Sequence, residues 1–453
     1  MKKTIYILAA LLMSTGCLDI KLESQFSDPD AITTVATARE LLASAYNSLP
    51  RFQYEFSVLG DDFVTVELSS KAADMVNLYK WQEKAIEELS PQVWTEYYLT
   101  VSTINALLPR LDKVAAKSEE EAAQLEQVRS EAKALKALCY LDLLRIYAPN
   151  WSDAGKDADG IILKDRLELD FLPRSSMQKC AEAIETLLTE AARTDNSDAP
   201  VYYLSTAAVT ALRAEFELYR GQYKAAITEG SKLLADAESH WTATAYNNLW
   251  SGNESSERIF APYIFNSFYT GLNYDTEKGD YFIVNDKISY DAGDTRSEWS
   301  YFDGPQTRNF GKYNKMFYDK TDIRYINTIR YSGVCFIVAE AYARDSQPGK
   351  AIELMNRYLA ARNAAALDSS LSGDALISAI MNEKQKEFLG EGTRWFDLKR
   401  MGGELKKANY TGAATNIKAG DYRWLFPIPA IEYRYNPKIT NINPGWTRQT
   451  IED

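Results

Sequence analysis

The chain has 453 residues, 51 Lys+Arg against 63 Asp+Glu, and a formal charge of −12. Its hydrophobic and charged fractions, 46% and 25%, are those of an ordinary globular protein, which excludes disorder and collagen-like structure. The acidic balance without a Lys/Arg cluster argues against a nucleic-acid partner, and a single histidine, His240, excludes any site needing two His ligands or a His relay.

The N-terminus reads as an export signal with a lipid anchor. Lys2 and Lys3 precede a short apolar run, Ile5 to Met13, too short to span a bilayer permanently. Ser14-Thr15-Gly16-Cys17 follows and resembles a bacterial lipobox, with Leu12 and Ser14 five and three residues before the Cys. The resemblance implies cleavage before Cys17 and acylation of that residue. Residues 1–16 are then the signal peptide. Their loss removes Lys2 and Lys3 and no acid, lowering the formal charge to −14. The remaining Cys139, Cys180 and Cys335 lie in apolar helical stretches without CxxC spacing, so they predict buried thiols rather than a disulfide framework or zinc site.

The body reads as mostly α, a scaffold of tetratricopeptide-like helical hairpins with a long irregular aromatic-rich insert. Ser90-Pro91, Ser118-x-x-Glu121 and Ser175-x-x-Gln178 predict helix starts. Ala134, Ala137, Leu141, Leu144 and Ala148 form one buried stripe. Val209, Leu212, Phe216 and Tyr219 form another, as do Val334, Ile337, Val338 and Ala341. Residues 207–227 and 335–352 look like hairpin units, with Gly221 and Gly349 at the turns, and 120–148 with 176–193 predicts a third pair. A loop-like zone covers Tyr54 to Trp81. The insert, about 250–320, is dense in aromatics. Of the 59 residues from Phe260 to Tyr318, 16 are aromatic, and Asp280 to Val284 alternates like a strand.

The C-terminal half carries the most specific pattern. The run from Ile380 through Glu387-Phe388-Leu389-Gly390-Glu391-Gly392-Thr393-Arg394-Trp395-Phe396-Asp397 to Gly402 resembles the hallmark of the SusD/RagB family of outer-membrane lipoproteins. Residues 131–147, Ile329-Arg330-Tyr331 leading into Ala339-Glu340-Ala341-Tyr342, and Phe426-Pro427-Ile428-Pro429 with Asn436-Pro437 and Asn443-Pro444-Gly445 resemble further family motifs in the family's order. In the hallmark we read Gly390 and Gly392 as a helix stop and restart. Trp395 and Phe396 read as core, and Glu387, Arg394, Asp397 and Arg400 as local ion pairs. The resemblance implies one SusD-like helical domain over 17–453. It also implies a non-catalytic surface lipoprotein of the outer membrane that captures oligosaccharides and delivers them to a SusC-like TonB-dependent barrel transporter. No cofactor and no metal is implied.

A peptide-capturing member of the family, a helical glycoside hydrolase and a periplasmic scaffold are the other readings. Asp61-Asp62 could serve hydrolysis, but with 63 acids some pair always has the required spacing. The resemblance implies that the ligand site lies where the early zone meets the insert. Its candidates are Asp61, Asp62, Tyr79, Trp81, Tyr269, Tyr274, Trp299 and Tyr301, with Trp81 and Trp299 as stacking platforms. A sugar ring has an apolar C–H face for such rings and a polar rim for the carboxylates.

Cys17→Ala is expected to release the protein from membranes, since each buried acyl CH₂ contributes about 0.8 kcal/mol of attachment. Retention of the variant after carbonate washing would contradict the anchor.

Overall fold

The computed structural model describes residues 32–168, 170–263, 274–275, 277–318 and 325–448. Cys17 and Tyr269 lie outside them. The first helices are α1 (Val35–Asn47), α2 (Gln53–Leu59), α3 (Ala73–Tyr79), α4 (Glu83–Leu111) and α5 (Glu119–Tyr147). They are followed by α6 (Met177–Ala191), α7 (Thr206–Tyr219), α8 (Tyr223–Ser231) and α9 (Ala243–Trp250). In the insert come α10 (Ser297–Ser300) and α11 (Lys312–Tyr318). The C-terminal part holds α12 (Tyr331–Arg344), α13 (Pro348–Ala361), α14 (Gly373–Glu387), α15 (Arg394–Arg400) and α16 (Ala430–Tyr435).

The three expected hairpins form as α5/α6, α7/α8 and α12/α13. α12 also packs on α8 and α14, so the hairpins share one helical core. The predicted stripes are its buried faces: Ala134, Ala137, Leu141 and Leu144 on α5, Val209, Leu212 and Phe216 on α7, Val334 and Val338 on α12. Cys139, Cys180 and Cys335 are free and buried. Gly221 takes a positive φ of 72° at the α7/α8 turn. In the α12/α13 turn the left-handed residue is Ser346 (φ 59°), while Gly349 lies in the first turn of α13.

Two helix starts differ from expectation. Pro91 sits inside the 29-residue α4. Ser90 does not cap it: its hydroxyl donates to the Pro427 carbonyl (2.6 Å), and the Tyr147 hydroxyl donates to the Ser90 carbonyl (2.6 Å). These tertiary bonds occupy groups at the kink-prone Pro step and let the helix continue. The cap of α6 is Ser176, accepting from the Lys179 N–H, one residue beyond Ser175. Ser118 caps α5 as expected, accepting from the Glu121 N–H (3.1 Å). The Glu121 carboxylate returns to the Lys117 N–H (2.7 Å) rather than to that of Ser118.

The strands are short, and all pair in two-stranded antiparallel ribbons. β1 (Phe63–Thr65), β2 (Arg258–Phe260), β3 (Tyr274–Asp275), β4 (Gly279–Asp280) and β5 (Phe282–Val284) come first. β6 (Tyr301–Phe302), β7 (Asn309–Phe310), β8 (Ile329–Arg330), β9 (Leu405–Ala408) and β10 (Ala414–Ile417) follow. β1 pairs with β5, β2 with β8, β3 with β4, β6 with β7, and β9 with β10. The stretch Tyr54 to Trp81 is therefore not a loop, since it holds most of α2, β1 and α3. The β1–β5 ribbon joins it to the insert as expected. A second apolar core fills this junction, built from Tyr54, Phe63, Tyr79, Trp250, Phe282 and Phe310 among others.

Buried charge ties these parts together. The Arg330 guanidinium donates to Glu257 (2.8 Å), Glu387 (2.5 Å) and Glu391 (2.9 Å). Arg362 bonds Glu257 (2.7 Å), and the Lys312 ammonium bonds Glu391 (2.7 Å) and the Glu387 carbonyl (2.9 Å). The Tyr358 hydroxyl donates to Glu387. Three cations meet three carboxylates, and their side chains are essentially closed to solvent. Of the hallmark ion pairs expected to be local, Asp397–Arg400 is, while Glu387 and Arg394 find their partners far along the chain. Arg394 pairs with Asp61, and Arg400 joins Glu340 as well as its neighbour Asp397.

Two lysines end helices. Lys399 donates to the carbonyls of Arg145, Ile146 and Ala148 at the end of α5. Lys407 donates to those of Val58, Leu59 and Gly60 at the end of α2. Each ammonium satisfies carbonyls that lack a helical partner and sits at the negative end of the helix dipole.

Burial opposes ionisation of Glu387, yet Arg362, Arg330, Arg296 and Lys312 outweigh it and hold the carboxyl at about 2. Asp397 is likewise opposed by burial but held at about 2 by Lys384 and Arg400. Both folded values lie below the unfolded ones, so this stabilisation is complete above about pH 4.5 and is lost as pH falls toward 2. Glu387→Gln should cost about 3–5 kcal/mol, because it leaves buried guanidinium groups under-compensated. It should also flatten the acid limb of stability against pH. Denaturant midpoints measured from pH 5 to 2 test both effects, and an unchanged midpoint would contradict them.

Candidate functional site

Three of the six aromatics expected to bind ligand, Tyr79, Trp81 and Trp299, are structural. Trp81 is fully buried. Its indole N–H donates to the Leu59 carbonyl (2.8 Å) and its ring meets Trp424 edge-on at 4.5 Å. Tyr79 is also fully buried, with its hydroxyl on the Ala408 carbonyl (2.9 Å) and Lys407 3.9 Å from its ring centre. Trp299 is 9% exposed, its indole N–H on Asn247 (3.0 Å) and Lys315 over its ring at 4.6 Å. Neither tryptophan presents a free face, so neither is a platform. The reason is geometric. Short ribbons bury too little to hold themselves, and large rings supply the missing core.

Asp62 is buried too, accepting from the Gly390 N–H (3.1 Å) and from Gln385 (3.2 Å). Burial, with Asp61 beside it, pushes its carboxyl up to about 7. Asp61 is partly open but engaged by Arg394 (2.8 Å) and Gln385 (2.9 Å). This pair anchors the hallmark loop to β1. Gly390 and Gly392 do separate α14 from α15, both at positive φ. A Cβ on Gly392 would lie 2.7 Å from the Gln53 Cα, and one on Gly390 would lie 2.4 Å from the Phe310 ring. Tyr301 is half-buried, with the Arg308 guanidinium 4.0 Å from its ring centre. The backbone of Tyr274 lies in β3, and its side chain is outside the described set.

An open aromatic group lies elsewhere. Tyr202 stands 4.8 Å from Tyr203 and 6.4 Å from Tyr263, and Tyr263 stands 5.7 Å from Tyr325, all edge-on. Tyr263 is 38% exposed. The backbone builds the group from two segments. Tyr263 bridges Tyr325 in antiparallel fashion, and the Ala261 N–H donates to the Val201 carbonyl (2.8 Å), holding the Pro200–Tyr203 turn alongside. Glu254 accepts from the Tyr325 hydroxyl (2.5 Å), and Arg258 lies 4.5 Å from the Tyr325 ring centre. Burial and the Glu254 partner push that phenol up to about 12. Tyr325 itself is buried and Arg258 is spent on Asn327 and the carbonyls of Asn248, Leu249 and Asn253, so the part open to a ligand is the Tyr263 ring with Tyr202 and the exposed Glu254 carboxylate beside it; an apolar face with polar atoms at its edge suits a sugar. Sequence reasoning passed over these residues. The available signal was Pro200-Val201-Tyr202-Tyr203 and Pro262-Tyr263, tyrosines beside prolines with no apolar stripe.

Behind this group lies an interior cleft of about 220 Å³, lined in part by Pro262 and Ile326, the residues next to Tyr263 and Tyr325. Among the described residues no helix is long and apolar enough to cross a membrane, and no group of three or more His, Cys, Asp or Glu is gathered for a metal ion.

Comparison with known proteins places this geometry. The chain matches the family model described as "SusD family" over residues 192–446, and that described as "Starch-binding associating with outer membrane" over residues 18–218. It is 24% identical over 477 residues to SusD-like protein P38 of Formosa agariphila, covering 88% of this chain and 90% of that one. A SusD superfamily protein of Bacteroides vulgatus superposes with a TM-score of 0.76 at 20% identity, covering 92% of this chain and all of that one. One of Bacteroides thetaiotaomicron gives 0.75 at 19%, over 91% of this chain and all of that one. A putative sugar binding protein of Bacteroides vulgatus gives 0.74 at 20%, over 92% and 99%. These likenesses establish the shared fold, and the family match spans more than half of the sequence: the chain belongs to the SusD family.

Proposed function

We propose that this protein is a lipid-anchored capture protein of the outer membrane that holds an oligosaccharide and passes it to a TonB-dependent barrel transporter. The observation that carries the reading is the tyrosine group of Tyr202, Tyr203, Tyr263 and Tyr325, with Tyr263 open and polar atoms at its edge. The description of the matched N-terminal family model as starch-binding and outer-membrane-associated, and the sugar-binding label of one structural neighbour, support a glycan as ligand. The lipobox at Cys17 supplies the anchor. The role is binding, since a stacking surface changes no bond. Asp61 and Asp62 hold the scaffold, which removes the carboxylate pair considered for hydrolysis.

Affinity gels cast with starch and other polysaccharides, with a protein digest as competitor, test the ligand class. Retardation by a polysaccharide that the digest does not relieve supports the reading, and retention of peptides alone overturns it. Tyr263→Ala should weaken binding to the retarding glycan by about 1–3 kcal/mol, as for a stacking hot spot. Its melting temperature should hardly change, because the ring is open. Unaltered binding would remove Tyr263 from the site.

A further inference from the structure

The β9–β10 hairpin has one covered edge and one open edge. Gly412, at a positive φ of 84°, closes its loop. The Gly412 N–H donates to the Asn409 carbonyl (2.9 Å), and the Asn409 N–H donates to that of Ala413 (3.0 Å), so Asn409 and Ala413 are a hydrogen-bonded pair. Bonded and non-bonded pairs alternate along an antiparallel ladder, which makes Thr415 with Lys407 and Ile417 with Leu405 the next bonded pairs. The pairs between them, Ala414 with Ala408 and Asn416 with Lys406, turn their main-chain groups outward. On the β9 side the Ala408 carbonyl accepts from the Tyr79 hydroxyl (2.9 Å). On the β10 side neither Ala414 nor Asn416 has a further main-chain partner among the described residues, and β10 pairs with no described strand besides β9.

This edge borders a groove of about 290 Å³. Five consecutive residues, Ala413 to Ile417, line it. The side chains of a strand alternate between two faces, so five in a row share one groove only along the strand's edge. Lys80, Gln82 and Arg423 form the other wall. A strand added at the usual spacing of about 4.8 Å would lie in this space and meet the N–H and carbonyl groups of Ala414 and Asn416.

The charge around the groove selects what such a strand carries. Residues 405–420 hold Lys406, Lys407 and Lys418 and no acid, in a chain of formal charge −12. Lys407 is spent on the α2 carbonyls, and Arg423 on Asp421 and the Trp81 carbonyl. Lys406 pairs with Glu404 (2.9 Å), whereas the half-buried Lys80 and the exposed Lys418 form no ion pair among the described residues. Lysines also guard edges against unwanted strands. A guard of that kind stands on the edge itself, and here the edge residues are Ala414 and Asn416, both exposed and uncharged. Self-pairing of two copies would bring two lysine-bearing hairpins together, which like charges oppose.

We propose that the open edge of β10 receives an extended, acid-bearing segment of another protein, which adds a third strand to the hairpin with its carboxylates near Lys80 and Lys418. Main-chain bonds to Ala414 and Asn416 set its register, and the lysines set the sign of charge it must carry. The edge shares no residue with the tyrosine group and does not depend on the glycan reading.

The test uses the detergent-purified full chain and a fluorescein-labelled heptapeptide, Thr-Glu-Val-Glu-Val-Glu-Thr, read by anisotropy. This peptide should bind, and the same peptide with Lys in place of Glu should bind at least about tenfold more weakly. The acidic peptide methylated at the amide nitrogens of its five central residues should lose binding, since it keeps its charge but cannot complete the ladder. Trigalacturonate, which carries carboxylates without a peptide backbone, should not displace the peptide. Lys80→Glu and Asn416→Pro should each weaken peptide binding about tenfold, the first by reversing a charge and the second by removing an outward N–H. Neither should lower the melting temperature, because Lys80 has no ion pair to lose and proline is tolerated where the N–H faces outward. If Asn416→Pro disturbs the hairpin, Lys80→Glu decides. The proposal is overturned if the acidic peptide does not bind, if its methylated form binds equally, if trigalacturonate displaces it, or if the folded variants bind as the wild type does. A dimer that Asn416→Pro dissolves would also overturn it, by placing a second copy on the edge.

Discussion

Arg330 and its carboxylates set the constraint on which the architecture depends. A guanidinium closed to solvent has to find charge and hydrogen bonds together, and Glu257, Glu387 and Glu391 provide both. These acids come from the start of β2, the end of α14 and the loop before α15. Lys312 and Arg362 complete the set from α11 and α13. Insert, hairpins and hallmark loop must therefore arrive at one point, in one geometry. A hydrophobic contact tolerates a slip of an ångström or two. A buried charge does not, since a displaced partner leaves an uncompensated ion in a medium of low polarisability.

The same logic recurs at the edges of the hallmark segment. Lys399 closes α5, Lys407 closes α2, and Asp61 and Asp62 hold Arg394 and the Gly390 N–H. The C-terminal part is fastened to the N-terminal helices mainly by groups that carry or complement charge. Trp395 and Trp424 pack between them, with Trp81 against Trp424. The aromatic insert obeys a parallel rule. Its ribbons have two strands each, so rings such as Trp250, Phe282, Phe310 and Tyr313 become the core that regular structure would otherwise provide.

This use of aromatics narrows where ligand contacts can lie. Rings committed to the two cores cannot stack on a sugar. What remains is a small set on turns, among them Tyr202 and Tyr263.

The sequence by itself determined the hairpins, their buried stripes, the buried cysteines and the family, because those features are written in local periodicity and in ordered motifs. The family resemblance, and not any local pattern, suggested that the early zone meets the insert, and the β1–β5 ribbon joins the two. The sequence could not show that Ser90-Pro91 lies within α4, since the bonds that stabilise that step come from Tyr147 and Pro427. Nor could it separate Trp81, sealed under Leu59 and Trp424, from Tyr263, open on a turn, because a ring's exposure depends on what packs over it. The hallmark charges, read as local pairs, found partners such as Asp61, 333 residues away from Arg394, and Arg330, 57 away from Glu387. Only the tertiary structure decided those matches, because Coulomb's law acts on distance in space and buried ions accept only partners that the completed fold brings within contact.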